Sequence, residues 1–173
     1  FYGMFKAMDG LPVIVRLLDP PLHEFLPAPR ELEVEITRME CEGASPAEIA
    51  EKRALLSQCD AMAEVNPMLG LRGCRLAILY PELPAMQVRA IATATARLQK
   101  EGLHPEPEIM IPLVSVLPEL ETLRTEAEEV LAQVAAEEGV ELNIPIGTMI
   151  ELPRAAVTAD EIATKADFFS FGT

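Results

Sequence analysis

Four stretches of the chain run apolar with little polar interruption, and all four are short. LPVIVRLL (Leu11 to Leu18), EIMIPL (Glu108 to Leu113), IPIGTMIE (Ile144 to Glu151) and the closing DFFSFGT are therefore predicted strands, because brief apolar runs bounded by turn signals suit strands buried on both faces. The first run halts at Asp19-Pro20-Pro21, where consecutive prolines lack the N–H groups a ladder needs. Between these runs the apolar spacing becomes helical. Helix is predicted from Arg30 to Glu42 and from Pro46 to Glu64, with Gly43 as the stop between them. Ser45 serves as N-cap, Pro46 occupies the first helical position and Glu48 supplies the carboxylate of a near capping box. Asn66 to Arg75, NPMLGLRGCR, is predicted as a loop because it holds two glycines and a proline. Further helices are predicted from about Pro84 to Glu101, from Pro118 to Glu138 and, shorter, from Ala155 to Ala166. Leu120, Leu123, Ala127, Val130, Leu131 and Val134 keep helical spacing in the second of these.

Buried parallel strands alternating with amphipathic helices define an α/β protein, and an open sheet or a barrel would satisfy the pattern equally. Four strands are about half of those in a (β/α)8 barrel, and none of the predicted helices follows the last one. A truncated, partial (β/α)8 TIM-type barrel, or the corresponding piece of an open sheet, is expected as a single incomplete domain over residues 1–173. No internal repeat, low-complexity tract or long linker argues for a second domain.

Composition narrows the partners more than the fold. The 173 residues are half apolar, with a net charge of −14 and a pI near 4.5, which disfavours a nucleic-acid backbone or an anionic membrane surface as partner. No apolar run approaches the roughly 20 residues that span a bilayer, and FYGMFKAMDG lacks the apolar stretch of a secretory signal. A soluble, cytoplasmic protein is expected. Cys41, Cys59 and Cys74 show no Cys-x-x-Cys spacing and are expected to be reduced thiols, while His23 and His104 form no metal-binding pattern. The scattered methionines are expected to fill the core, and the acidic run from Glu126 to Glu129 to be a solvated helix face.

In a parallel α/β protein, ligands meet the carboxyl ends of the strands. Arg16, Glu151 and the Gly172-Thr173 pair lie there. Arg16 interrupts an apolar run where an unpaired guanidinium would be costly, so it either binds an anion or pairs with Asp19 or Glu24. Arg72 and Arg75 fall in the glycine-bearing loop, an arrangement suited to phosphate, with solvated arginines as the alternative. Glu151 suits a hard divalent ion such as magnesium, or else caps the following helix. Cys74 is flanked by an arginine but has no histidine base nearby in sequence, and a packed thiol is the preferred reading.

Four blocks, FYGMFKAMDGLPVIVRLLDPPLHEFLP, NPMLGLRGCRLAILYPE, PEIMIPLV with GTMIELPRAA, and ADFFSFGT, resemble the C-terminal, phosphoenolpyruvate-binding barrel of the pyruvate, phosphate dikinases over essentially the whole chain. Phosphoenolpyruvate synthase and enzyme I of the sugar phosphotransferase system share the SFGT-type ending and a similar arginine-bearing loop, and a non-catalytic module for small phosphorylated acids is a further alternative. VRLLDPPLHEFLP joined to NPMLGLRGCR favours the dikinases. The resemblance implies phosphoryl transfer from a phosphohistidine, carried on a swivelling domain, to the enolate of pyruvate. The overall reaction would convert ATP, phosphate and pyruvate to AMP, diphosphate and phosphoenolpyruvate. It also implies that Arg16 and Arg72 bind phosphoryl and carboxylate oxygens, that Glu151 binds both substrate and Mg2+, and that Gly172 and Thr173 contact substrate through their backbone. In the family, SFGT continues into Asn-Asp, whose aspartate is a second metal ligand, and a later cysteine is the proton donor. Neither Cys74 nor either histidine matches the family's proton donor or phosphohistidine, so no catalytic residue is expected within these 173 residues and the chain alone is expected to be inactive. A homodimer joined through its barrels, in the cytoplasm or a plastid, completes the expectation.

Overall fold

The computed structural model describes residues 1–21, 24, 26–62 and 70–172. Thr173, His23, residues 66–69 of the expected loop and the last two positions of the helix expected to reach Glu64 lie outside the described residues. The chain divides into two compact units, one formed by Phe1–Asp19 with Arg72–Thr173 and the other by Pro20–Leu71.

The first unit holds the strands. β1 (Pro12–Arg16), β2 (Glu106–Ile111), β3 (Ile146–Ile150) and β4 (Phe169–Phe171) form one sheet in the order β1-β2-β3-β4. Every neighbouring pair is parallel, with Arg16 opposite Met110, Ile111 opposite Thr148 and Ile150 opposite Phe171. Parallel strands laid down side by side in chain order, with helices in the crossovers, are the pattern of a (β/α)8 barrel. The α/β, partial TIM-type barrel expected from the sequence is thus the observed class. All four expected strands form; β1, β3 and β4 are shorter than their apolar runs, whereas β2 is as long as its run but begins two residues earlier, at Glu106.

Helices α1 (Tyr2–Ala7), α4 (Gly73–Leu79), α5 (Glu82–Lys100), α6 (Leu117–Glu138), α7 (Pro153–Val157) and α8 (Ala159–Ile162) complete this unit. The core joins Val88, Ile91 and Leu98 of α5 and Leu120, Leu123 and Val134 of α6 to Ile109, Ile111 and Ile146 of the strands. Five of the six α6 positions expected to face inward are buried, and Val130 packs at the margin. The helix stops at Gly139, whose φ of 64° is the left-handed cap that glycine adopts at least cost. Its start is held by Glu119, whose carboxylate accepts the N–H groups of Ser115 at 2.7 Å and Val116 at 3.2 Å. Lower down, the Arg124 guanidinium donates to the carbonyls of Lys165 (2.8 Å) and Ile146 (3.3 Å), and Asp167 accepts the Ile146 N–H at 2.8 Å. These bonds fasten α6 to the amino ends of β3 and β4.

Two helices escaped the sequence pattern. The six residues of α1 are too few to show periodicity, yet Phe5 is buried and Tyr2 and Lys6 both reach Glu101 beyond α5. Helix α4 begins inside the expected loop, because burial of Cys74 and Leu76 outweighs the turn propensity of the glycines around them. Other expectations fail in instructive ways. Strand β1 is not buried on both faces: Val15 is in the core, while Ile14 is 50% exposed on the opposite face of the pleat. The methionines are not core filling as a class, since Met110 is buried but Met4, Met8 and Met86 are exposed. Nor is the acidic face of α6 fully solvated. Glu126 is half-buried, and its Oε2 is shut from solvent with no hydrogen-bond partner among the described residues.

In the second unit, α2 (Pro29–Glu42) and α3 (Pro46–Met62) form a helical hairpin. Gly43 closes α2 with a φ of 76°. The expected capping box is present: Glu48 accepts from the Ser45 N–H (3.1 Å) and hydroxyl (2.7 Å), and its own N–H donates to the Ser45 oxygen at 3.3 Å. Lys52 with Glu35 and Arg53 with Glu40 link the two helices.

Two outcomes follow from this packing. A Cβ on Gly147 would strike the Phe168 carbonyl and ring, so Gly147→Ala must push β4 from β3 and is expected to cost about 1–3 kcal/mol, read as a lower melting temperature. Burial, followed by the neighbouring Glu129 charge, raises the Glu126 carboxyl above its ordinary 4.5. Its ionisation therefore opposes folding once the pH exceeds the ordinary value and does so fully above the raised one. Glu126→Gln is expected to melt higher than the parent at pH 7, with the difference fading as the pH falls toward 4.5. Melting curves across that range check the sign.

Candidate functional site

The carboxyl ends of β1, β2 and β3 meet at one cluster of side chains. Arg16 closes β1 and shares the exposed face of the pleat with Ile14, as residues two apart in a strand do. Three residues on, Asp19 turns back and its Oδ2 pairs with Arg16 Nη2. The same oxygen lies 2.7 Å from Arg72 Nη2, and Arg72 Nε donates to Asp19 Oδ1 and to the Asp19 carbonyl, each at 3.3 Å. One carboxylate thus holds two guanidiniums. Asp19 and Arg72 are mostly buried, with side chains 14% and 15% exposed, whereas Arg16 is 38% exposed.

Arg16 is therefore not the buried cation its apolar surroundings suggested. It pairs with Asp19, one of the partners considered, while still facing solvent. Arg72 is not a loop residue reaching outward either: with φ −151° and ψ 169° it is the extended residue that starts α4. Arg75, expected beside it in the loop, is the third residue of that helix.

Glu151 follows β3 directly, and its side chain turns toward the strand ends rather than capping α7, whose first turn receives no side-chain bond. Oε1 accepts the Leu113 N–H at 2.8 Å, and Oε2 lies 3.6 Å from Arg16 Nη2. Gly172, just after β4, donates its N–H to the Ile150 carbonyl at 3.2 Å. A Cβ there would stand 2.9 Å from both Glu151 Cβ and Met149 Sδ, so only glycine lets the chain pass this close to the carboxylate. Four of the five sequence-predicted site residues, Arg16, Arg72, Glu151 and Gly172, occupy this end of the sheet; the fifth, Thr173, is outside the described residues.

Sequence reading undervalued Asp19, which appeared only as a strand terminator and a possible partner for Arg16. The signal was an acidic residue three places after an arginine and directly before two prolines that fix the turn. Cys74 is a packed thiol, as preferred. It is fully buried, its Sγ donates to the Leu113 carbonyl at 3.0 Å, and burial followed by the nearby Glu119 charge pushes the thiol up to about 12. A thiol so reluctant to ionise is not a nucleophile at neutral pH.

The carboxyl ends of these parallel strands thus gather two guanidiniums, of a kind whose planar donors match carboxylate and phosphate oxygens, with Asp19 and Glu151 beside them. The whole chain, residues 1–173, matches the family model of the PEP-utilising enzymes, PEP-binding domain, and it belongs to that family. It is 51% identical over 173 residues to the chloroplastic pyruvate, phosphate dikinase 1 of Arabidopsis thaliana. It is also 51% identical over 174 residues to the pyruvate, phosphate dikinase of Rhizobium meliloti and 50% over 174 residues to that of Entamoeba histolytica. These alignments take in all of this chain but only 17%, 18% and 20% of the respective relatives, so the chain spans about a fifth of their length.

Asp19→Asn keeps the shape and the carbonyl but removes the charge that two cations share. It is expected to destabilise the protein by about 1–3 kcal/mol in denaturant titrations, with part of the loss recovered at high salt, where the repulsion between Arg16 and Arg72 is screened.

Proposed function

We propose that this chain is the pyruvate- and phosphoenolpyruvate-binding domain of a pyruvate, phosphate dikinase, where a phosphoryl group passes reversibly between a phosphohistidine and the enolate of pyruvate. The observation that carries this reading is the meeting of Arg16 and Arg72 at Asp19, with Glu151 beside Arg16, at the strand ends of a chain belonging to the PEP-utilising enzymes. The dikinase names of its relatives support the particular reaction.

Pyruvate must lose a C3 proton before its oxygen can take the phosphoryl group, and negative charge gathers on that oxygen as it does so. Fixed cations stabilise such charge without reorganising during the reaction. Arg72, anchored through Asp19, presents a guanidinium of fixed orientation, and Arg16 offers a more exposed one beside it. Their bidentate geometry suits the carboxylate and phosphoryl oxygens of the substrate. Gly172 would meet the bound molecule with backbone rather than side chain, and the same role is proposed for Thr173, which lies outside the described residues.

Magnesium fits this donor set as a cation completed by oxygens from elsewhere. Among the described residues no group of three or more His, Cys, Asp or Glu could enclose a metal, but magnesium ordinarily takes one or two carboxylates together with substrate oxygens and water. Glu151 would hold it through Oε2, since Oε1 is engaged by Leu113. When bound, the ion supplies Lewis-acid stabilisation of the enolate oxygen.

The swivelling phosphohistidine domain would be the partner that delivers the phosphoryl group, and a homodimer joined through the barrels its assembly. No helix among the described residues is long and apolar enough to cross a membrane, and cytoplasm or plastid is the proposed location. In the dikinase carrying these residues, Arg16→Ala and Arg72→Ala are each expected to slow pyruvate phosphorylation by about a hundredfold or more. Phosphorylation of the histidine by ATP should persist. Equal loss of both half-reactions, measured separately with labelled ATP and labelled phosphoenolpyruvate, would refute the assignment.

A further inference from the structure

Leu113 stands one residue beyond Pro112 at the end of β2, and it is the one non-glycine residue with positive φ among the described residues, at 59°. A leucine rarely adopts this conformation, which costs about 1 kcal/mol or more unless its surroundings enforce it. Here they do so from two sides. The Cys74 N–H donates to the Pro112 carbonyl at 3.2 Å and the Cys74 thiol to the Leu113 carbonyl at 3.0 Å, so one residue grips two consecutive peptide units. Gly73 lies against the Leu113 side chain so closely that a Cβ would fall 2.9 to 3.1 Å from its Cδ1, Cβ and Cγ. Leu113 and Cys74 are 1% and 0% exposed, so water does not compete for these bonds. The outcome of this conformation is that the Leu113 N–H points at Glu151 Oε1, 2.8 Å away.

Strained backbone is found where the structure has a use for the direction it gives. Turning Leu113 to an ordinary extended conformation would carry its N–H away from the carboxylate and leave Glu151 to rotate toward Arg16. We propose that Cys74, acting through Leu113, is a positioning residue for Glu151: its N–H holds the carbonyl before Leu113 and its buried thiol the carbonyl after it, which together fix the left-handed residue whose N–H engages one carboxylate oxygen and leaves the other directed into the site. The inference rests on the reading of Glu151 as a metal ligand for its consequence, though not for its geometry. The thiol works as a hydrogen-bond donor, the opposite of the nucleophilic role its arginine neighbour invites.

Serine can replace the donor and alanine cannot, so Cys74→Ser and Cys74→Ala separate the bond from the packing. Amide hydrogen exchange in the metal-free enzyme reads the strut itself. The Leu113 N–H should exchange about tenfold or more faster in Cys74→Ala and close to the parent rate in Cys74→Ser, while Met110 and Ile111 keep their protection. Titration with Mn2+ as a paramagnetic probe reads the consequence: affinity should fall about 10- to 100-fold in Cys74→Ala, as when other groups that orient a ligand are removed, and be largely rescued in Cys74→Ser. Unchanged Leu113 exchange in Cys74→Ala, or faster exchange spread evenly along β2, would overturn the proposal. Glu151→Gln is the control for the underlying reading. If it leaves Mn2+ affinity intact while Cys74→Ala still frees the Leu113 N–H, Glu151 is not a metal ligand but the strut stands.

Discussion

The site depends on the three-residue junction Arg72-Gly73-Cys74, where α4 begins against the ends of two strands. Arg72 fastens to the carboxylate and carbonyl of Asp19, and the Gly73 N–H donates to that same carbonyl at 3.2 Å, which ties the junction to β1. Gly73 makes room for Leu113, and Cys74 binds the carbonyls of Pro112 and Leu113, which ties it to β2. Leu113 then reaches Glu151 after β3. Each residue of the tripeptide meets a separate requirement: a planar cation, an absent side chain at φ 55°, and a small buried donor. Together they hold three strand ends in register above a sheet whose own ladder stops short of them.

This arrangement also sets two cations side by side in an acidic chain. The net charge of −14 is distributed over the molecule, much of it on helices, whereas the cluster balances two arginines against Asp19 and Glu151. Arg72 and Asp19 are mostly withdrawn from water, so their pairing is less screened than that of exposed ions. Arg16 remains the more exposed cation. Asp19 keeps the two positive charges close together, offsetting the repulsion that would otherwise separate them.

The fold was largely legible because its signals are local. Short apolar runs marked every strand, Gly43 and Gly139 marked helix ends, and Ser45 with Glu48 marked a helix start; each of these works through bonds within a few residues. What escaped depended on distant partners. Helix α4 exists because Cys74 and Leu76 are buried, α1 because Phe5 packs into a core formed by distant residues, and the hidden oxygen of Glu126 reflects packing that an acidic run does not announce. Candidate site residues were legible by position, since polar groups at strand ends stand out against apolar runs. Their connections were not.

The sequence by itself determined the α/β class, the positions of the four strands along the chain, the family to which the chain belongs and the residue types available at the carboxyl ends. These follow from periodicity, turn chemistry and motif. Only the tertiary structure decided that Asp19 unites Arg16 with Arg72, that Leu113 is turned to face Glu151, and that the packed thiol of Cys74 donates to the Leu113 carbonyl. The physical reason is that charge pairing, burial and the enforcement of a costly backbone angle act through space, between residues 38 to 53 positions apart.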